Sequence, residues 1–193
     1  MSVENVLTAG VYQQYLSQYK KPRFDRYQRL SDDEAVAIYA YTTDDDINSY
    51  KDLNYQLRER SIEADKFILV EAIVNGISSI EKDISSSQYF RFTALSFDDI
   101  KKIYSVGHIA THTFFTSVSE EARNFIGGDC NVFISINPDS KKITPAYIGD
   151  ISNFPEEKEY LFPPNTYFHV LQVLEADDGN FDILLQERPL CQK

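Results

Sequence analysis

The chain has 193 residues, of which 42% are hydrophobic and 25% charged, as in an ordinary globular domain. Its formal net charge of −11 disfavours nucleic acid as a partner, because a phosphate backbone requires a basic surface. The sequence contains no apolar run of membrane-spanning length, so we predict no membrane span. Its first ten residues, MSVENVLTAG, lack the basic start and apolar centre of a secretory signal.

The residue types that bind metals are few and poorly spaced. Cys130 and Cys191 lack metal-ligand spacing and are interpreted as isolated thiols, with one disulfide as the alternative. His108 and His112 are four residues apart, but their surroundings favour a strand and offer no third ligand. We therefore expect no bound metal.

Helical patterns dominate residues 1–85. Ser31 to Glu34 reads as a capping box that opens a helix. Asp46 is predicted to cap a second helix, whose stripe comprises Ile47, Tyr50, Leu53, Asn54 and Leu57. A third helix is predicted over residues 62–80. Its inward positions are predicted to be Phe67, Val70, Val74 and Ile77.

Residues 86–193 show mainly strand patterns. We predict strands over residues 89–95, 111–118, 131–136, 159–162, 166–175 and 181–186. Short helices are predicted to begin at Ser96 and Ser119, since acids follow both and suit the helix dipole. No linker of domain-separating length interrupts the chain. The sequence thus predicts one α+β domain over residues 1–193, with helices first and strands after.

Three polar features stand out against these apolar patterns. Arg91 is centred in an aromatic strand, where it is either a structural ion pair or a planar fork that grips a diphosphate. Glu157 and Glu159 open an apolar strand, and alternation predicts carboxylates on one face, about 7 Å apart, that raise each other's pKa. Asn54 lies on an apolar helical stripe, where its amide requires a partner.

Taken in chain order, the polar motifs of this sequence resemble those of mono-ADP-ribosyltransferases of the Arg–Ser–Glu type, which include bacterial toxins and arginine-specific ectoenzymes. The corresponding motifs are Arg91, Phe115-Thr116-Ser117 and Glu157-Lys158-Glu159. Residues 41–58 resemble the family's N-terminal Tyr-Thr…Asn-x-x-Leu-Arg signature, and residues 150–154 resemble its loop facing the protein substrate. The resemblance runs from about residue 30 to residue 170.

Two positions depart from the family's pattern. Phe115 replaces the first hydroxyl of the Ser-Thr-Ser element, whereas the third residue, Ser117, is retained. The stretch 126–130 lacks the arginine that several toxins use to grip the phosphate of NAD.

The resemblance implies an α+β fold with a mixed two-sheet β core, and NAD as substrate. It assigns the developing ribose cation to Glu159, the orientation of Glu159 to Ser117, and the acceptor to Glu157. It implies NAD contacts from Arg91, Tyr41, Tyr50, Asn54, Phe92, Thr116 and Phe125. It assigns contact with the protein substrate to Phe154.

The function implied is transfer of ADP-ribose from NAD to a protein side chain, with NAD hydrolysis as a side reaction. Arginine is favoured as the acceptor, because its guanidinium keeps its proton near neutral pH and requires a base such as Glu157. The alternatives are a predominant NAD glycohydrolase and a catalytically silent interaction module. We expect a monomer, and a secreted or injected bacterial toxin or effector is favoured over a cytoplasmic enzyme.

Overall fold

The computed structural model describes residues 2–18, 25–44, 47–82, 86–122, 130–139 and 145–188. The chain divides into two units. The first comprises Met1–Asp83, Thr113–Thr116 and Pro145–Pro164, and the second comprises Ile84–His112, Ser117–Thr144 and Asn165–Lys193. Within the described ranges, no helix combines the length and apolar character that crossing a bilayer requires. The single domain over residues 1–193 stays a prediction.

The described part of the first unit is mainly helical. Its helices are α1 (Val3–Leu7), α2 (Ala9–Gln18), α3 (Asp32–Tyr41), α4 (Tyr50–Glu59) and α5 (Ala64–Ser79). Helices α3 and α5 pack closely at Gly76, where a Cβ atom would lie 2.9 Å from Ile38 Cδ1. The centre of this unit's core is formed by Val36, Ile38, Leu53, Leu69, Ile73 and Ile77.

The capping box predicted for α3 is confirmed. The Ser31 hydroxyl accepts from the Glu34 backbone N–H at 3.3 Å, and the Glu34 carboxylate accepts from the Ser31 N–H at 2.8 Å. The start of α4 was predicted wrongly. Its N-cap is Ser49 rather than Asp46, which lies outside the described residues. Asn48 has a φ of 72°, so the backbone leaves the helical path before α4 and Ile47 is 69% exposed.

Helix α5 begins and ends close to the prediction, but its inward face is rotated. Phe67 is 53% exposed, while Lys66 is 6% exposed. The Lys66 ammonium lies 2.9 Å from Asp52 Oδ2 and donates to Asn48 Oδ1, so its charge is compensated in the interior. Apolar periodicity cannot anticipate a buried lysine that pairs with another helix. Val70 and Ile77 are buried as predicted, and Val74 is half-buried.

The structure describes eight strands along the chain. They are β1 (Tyr89–Thr93), β2 (Ile109–His112), β3 (Thr116–Ser119), β4 (Val132–Asn137), β5 (Ala146–Tyr147), β6 (Glu159–Phe162), β7 (Thr166–Glu175) and β8 (Phe181–Arg188). In the second unit the strand order is β2-β7-β8-β4-β1-β3. β4 and β8 are parallel, whereas β1–β4, β2–β7 and β7–β8 are antiparallel. The sheet is therefore mixed, as expected, and a division into two sheets stays a prediction.

Three predicted elements of this region differ in outcome: one strand and two short helices. The single strand predicted over residues 111–118 is wrong, because β2 ends at His112 and β3 begins at Thr116. Helix α6 (Phe97–Ile103) follows Ser96, whose hydroxyl accepts from the Asp99 N–H at 3.1 Å as the capping prediction requires. Ser119 likewise accepts from the Glu121 N–H, but most of the short helix predicted there lies outside the described residues.

The capping box gives a direct test of the first unit. We expect Ser31→Ala to lower the free energy of unfolding by about 1 kcal/mol, since it removes the acceptor for an N–H at the start of α3. Ser78→Ala is the matched control, because the Ser78 hydroxyl is exposed in α5 and bonds only within its own helix. Urea denaturation of both variants measures the difference. Equal losses in the two variants would contradict a capping role for Ser31.

Candidate active site

The amide of Asn54 pairs with the backbone just before β3. Asn54 Oδ1 accepts from the Phe115 N–H at 2.9 Å, and Asn54 Nδ2 donates to the Phe115 carbonyl at 3.2 Å. Nδ2 also donates to the Tyr41 hydroxyl at 3.2 Å. The partner that the sequence required for Asn54 is therefore found. This pairing also explains why the strand predicted over residues 111–118 is interrupted. At Phe115 the backbone N–H and carbonyl bond to the Asn54 side chain instead of to a neighbouring strand.

Aromatic rings surround this contact. The Tyr41 ring packs edge-on against Phe115 and Tyr50, with centroids 5.1 and 6.3 Å away. Tyr41 is 1% exposed, whereas Tyr50 is 38% exposed. The structure thus brings together Tyr41, Tyr50 and Asn54, three of the residues assigned to NAD, and leaves surface on Tyr50.

Arg58 adds a contact that sequence reasoning missed. Its guanidinium lies 4.2 Å from the centroid of the Phe114 ring, next to the residue that Asn54 holds. Asn54 and Arg58 are four residues apart, so they project from one side of α4. The spacing was visible in the sequence, but nothing there indicated Phe114 as the partner.

The two glutamates lie in different kinds of backbone. Glu157 ends a 3-10 turn over Pro155–Glu157, Lys158 has a left-handed φ of 48°, and β6 begins at Glu159. Glu159 is buried and Glu157 is half-buried. The prediction that alternation along one strand places both carboxylates on one face is therefore wrong, because Glu157 is not on the strand.

Burial raises the pKa of Glu157, and the charges of Glu156 and Asp44 raise it further. The direction agrees with the prediction, but these causes differ from the predicted repulsion by Glu159. A carboxylate with a raised pKa accepts a proton more readily than an ordinary glutamate.

Phe154, assigned to the protein substrate, lies in the loop before this turn. It is half-buried, and its backbone N–H donates to the Ser152 hydroxyl at 3.1 Å. Its carbonyl accepts from the Glu157 N–H at 3.1 Å. Phe154 and Glu157 therefore belong to one hydrogen-bonded turn.

In the second unit, Arg91 contacts the backbone of Ser117. Arg91 Nη1 donates to the Ser117 carbonyl at 2.8 Å. Phe92 follows Arg91 along β1 and points to the opposite face, where its ring packs on Phe133 with centroids 4.8 Å apart. Phe92 and Phe133 line a surface cleft of about 320 Å³. The structure thus joins Arg91 with Ser117 and separates both from Phe92.

Several remaining predictions concern thiols, imidazoles and the NAD loop. Phe125 and Cys191 lie outside the described residues, and Cys130 is exposed. His108 is exposed, while His112 is buried with its Nε2 2.8 Å from the Tyr104 hydroxyl. Among the residues that the structure describes, no three potential metal ligands form a group.

Removing the Asn54 amide should expose the backbone that it pairs. We expect Asn54→Ala to destabilise the protein by about 2–4 kcal/mol, because the buried N–H and carbonyl of Phe115 both lose their partner. Hydrogen exchange at the Phe115 amide should accelerate in parallel. Gln56→Ala is the control, since Gln56 lies on the same helix and bonds Asp52 and the Glu63 N–H instead. Unchanged exchange at Phe115 would contradict this role of Asn54.

The fold matches solved structures of a type III effector, an ADP-ribosyltransferase and an exoenzyme from bacteria. The type III effector XopAI from Xanthomonas axonopodis pv. citri superposes with a TM-score of 0.74 at 22% identity, over 94% of this chain and 76% of that chain. The ADP-ribosyltransferase HopU1 of Pseudomonas syringae pv. Tomato DC3000 gives a TM-score of 0.74 at 16% identity, over 92% of this chain and 87% of that chain. Exoenzyme S from Pseudomonas aeruginosa, solved with human 14-3-3 protein beta and Carba-NAD, gives a TM-score of 0.71 at 20% identity, over 99% of this chain and 90% of that chain. The predicted α+β fold of the ADP-ribosyltransferase type is confirmed.

Sequence comparison points to the same family. The putative NAD(+)--arginine ADP-ribosyltransferase Mav of Mycobacterium avium (strain 104) is 25% identical over 166 residues, 82% of this chain and 18% of that protein. The NAD(+)--protein-arginine ADP-ribosyltransferase Tre1 of Serratia proteamaculans (strain 568) is 28% identical over 161 residues, 83% of this chain and 33% of that protein. The chain therefore spans a third or less of the length of these curated relatives. A family model described as NAD:arginine ADP-ribosyltransferase matches residues 9–189. The chain belongs to the NAD:arginine ADP-ribosyltransferase family.

Proposed function

We propose that this chain transfers ADP-ribose from NAD to an arginine side chain of a protein and releases nicotinamide. The observation that carries the proposal is the pair of glutamates, with Glu159 buried at the start of β6 and Glu157 half-buried with a raised pKa. Family membership and the arginine specificity in the names of both curated relatives support it. Resemblance to a type III effector favours a bacterial toxin or effector.

The chemistry begins with cleavage of the bond between nicotinamide and ribose. As nicotinamide leaves with the bonding electrons, positive charge develops on the ribose, as in glycoside hydrolysis. We assign Glu159 to stabilise that charge, because a carboxylate that is already desolvated interacts with it strongly. Ser117 is assigned to orient Glu159.

Binding of NAD is assigned to a cation and an aromatic surface. Arg91 has five N–H donors in a planar fork, which suits the two phosphates of NAD, and Nη1 is steadied by the Ser117 carbonyl. Tyr50 supplies an accessible ring beside Tyr41 and Asn54. Tyr41 and Asn54 support Tyr50 from the core. The Asn54 amide donates to the Tyr41 hydroxyl and accepts from the Phe115 N–H.

Transfer to arginine requires removal of a proton. A guanidinium nitrogen attacks the anomeric carbon of the ribose, nicotinamide is displaced, and the proton released by the guanidinium passes to Glu157. The raised pKa of Glu157 suits this role, because a stronger base is better matched to a guanidinium. Water attacks the same cation in a side reaction, which gives NAD hydrolysis.

The two glutamates separate bond cleavage from acceptor use. We expect Glu159→Gln to reduce both NAD hydrolysis and protein modification by at least about a hundredfold, the scale of lost electrostatic stabilisation. Glu157→Gln should lose transfer to arginine but keep substantial hydrolysis. Nicotinamide release and labelling of a cell lysate by labelled NAD measure the two activities, and circular dichroism checks folding. Equal loss of both activities in both variants would refute the division of roles, and full activity in both would refute the function.

Arg91 can be tested by binding alone. We expect Arg91→Lys to weaken the affinity for NAD about tenfold, because a point charge replaces a bidentate fork. Arg188→Lys is the matched control, since Arg188 is exposed at the end of β8 in the same unit. Calorimetric titration with NAD gives both dissociation constants. If Arg91→Lys binds NAD as tightly as the parent, Arg91 is structural and other groups hold the phosphates.

A further inference from the structure

The loop before the two glutamates is fastened to the end of α3. The Asn153 backbone N–H donates to the Thr42 hydroxyl at 2.8 Å. That hydroxyl donates in turn to the Tyr39 carbonyl at 2.8 Å, which orients its lone pairs toward Asn153. Thr42 is buried at the C-cap of α3, which shields its hydroxyl from bulk water.

The side chain of Asn153 is held as well as its backbone. The Tyr39 hydroxyl lies 2.7 Å from Asn153 Oδ1 and 2.7 Å from Gln18 Oε1. Asn153 is therefore fixed at two points by Thr42 and Tyr39, which lie three residues apart on α3. We call Tyr39, Thr42 and Asn153 the α3 clamp.

The clamp lies at the start of the turn that contains Phe154 and Glu157. Beyond Asn153 the turn is held by its own short bonds, from the Phe154 N–H to Ser152, from the Glu157 N–H to Phe154, and from the Lys158 N–H to Pro155. A shift at Asn153 therefore moves Phe154 and Glu157 together.

Glu159 is held by different contacts. Its carbonyl accepts from the Ile148 N–H at 2.9 Å, and β6 pairs with β5 through Tyr147 opposite Tyr160 and Ala146 opposite Leu161. The strand pairing does not pass through Asn153. Release of the clamp is thus expected to disturb Glu157 and leave Glu159 in place.

We propose that Thr42 and Tyr39 are positioning residues that determine the ratio of ADP-ribose transfer to arginine and hydrolysis of NAD by water. The inference rests on the proposed function, in which Glu157 serves the acceptor and Glu159 the cation. An intact clamp holds Phe154 and Glu157 where a guanidinium can be oriented. Without the hydrogen bonds of the clamp, NAD is still cleaved, but water rather than a guanidinium attacks the ribose cation.

Three substitutions at the adjacent residues Thr42 and Thr43, with Tyr39→Phe as a fourth variant, test the clamp. Thr42→Val keeps the shape of the side chain and removes the hydroxyl, Thr42→Ser restores it, and Thr43→Val is the matched control. Thr43 follows α3 and is also buried, but its hydroxyl donates to the Ala40 carbonyl in the last turn of α3. Nicotinamide release without acceptor and ADP-ribosylation of agmatine, a small guanidine, are measured at saturating NAD.

We expect Thr42→Val to lower agmatine modification about tenfold while hydrolysis stays within about twofold, the scale of a lost supporting contact. Thr42→Ser should recover most of the transfer, and Thr43→Val should leave the ratio of transfer to hydrolysis unchanged. Tyr39→Phe should shift the ratio in the same direction as Thr42→Val. Hydrogen exchange at the Asn153 amide should accelerate in Thr42→Val and stay unchanged in Thr43→Val.

The outcomes separate the clamp from the enzyme activity itself. A parent protein that releases no nicotinamide from NAD refutes the proposed function. An active parent whose ratio of transfer to hydrolysis is unaffected by Thr42→Val refutes the clamp alone. Equal losses of both activities in Thr42→Val, without rescue by serine, would show that Thr42 is merely structural.

Discussion

The constraint on which the first unit depends is that buried backbone groups must be paired, even where no strand is beside them. Polar side chains from its N-terminal half meet this need. Asn54 pairs with Phe115, 61 residues later in the chain, and Thr42 pairs with Asn153, 111 residues later. The Tyr27 hydroxyl donates to the Tyr147 carbonyl across 120 residues. At Phe115 and Asn153, such bonds hold backbone that lies outside the strands.

This mode of construction ties stability to the geometry of the site. A residue such as Asn54 contributes to folding through the backbone it pairs, and through the same bonds it locates the start of β3, where Thr116 lies. Loss of one partner leaves a buried donor or acceptor unsatisfied, which costs more than the net value of the bond. Effects of substitutions on α4 and on the segment it holds are therefore coupled rather than additive.

Elements governed by local signals could be predicted from the sequence, and those set by distant contacts could not. The bounds of β6 and β7 and the capping box of Ser31 follow from local sequence patterns and from cap chemistry within a few residues. The inward face of α5 depends on the pairing of Lys66 with Asp52 of another helix. The break between β2 and β3 near Phe115 depends on Asn54. The periodicity of apolar residues indicates neither Asp52 as the partner of Lys66 nor Asn54 as the partner of Phe115.

The same distinction between local and distant determinants applies to the two glutamates and is consistent with the two roles proposed for them. Their i, i+2 spacing identified the pair, but the left-handed Lys158 places Glu159 in a strand and Glu157 in a turn. A group that stabilises a developing charge gains from a rigid setting, because preorganised dipoles need no reorganisation during the reaction. A group that meets a variable protein surface gains from a loop, whose sequence can change without disturbing the strand. Lys158 is the boundary between these two settings, which fits the proposed division between an acceptor role for Glu157 and a cation role for Glu159.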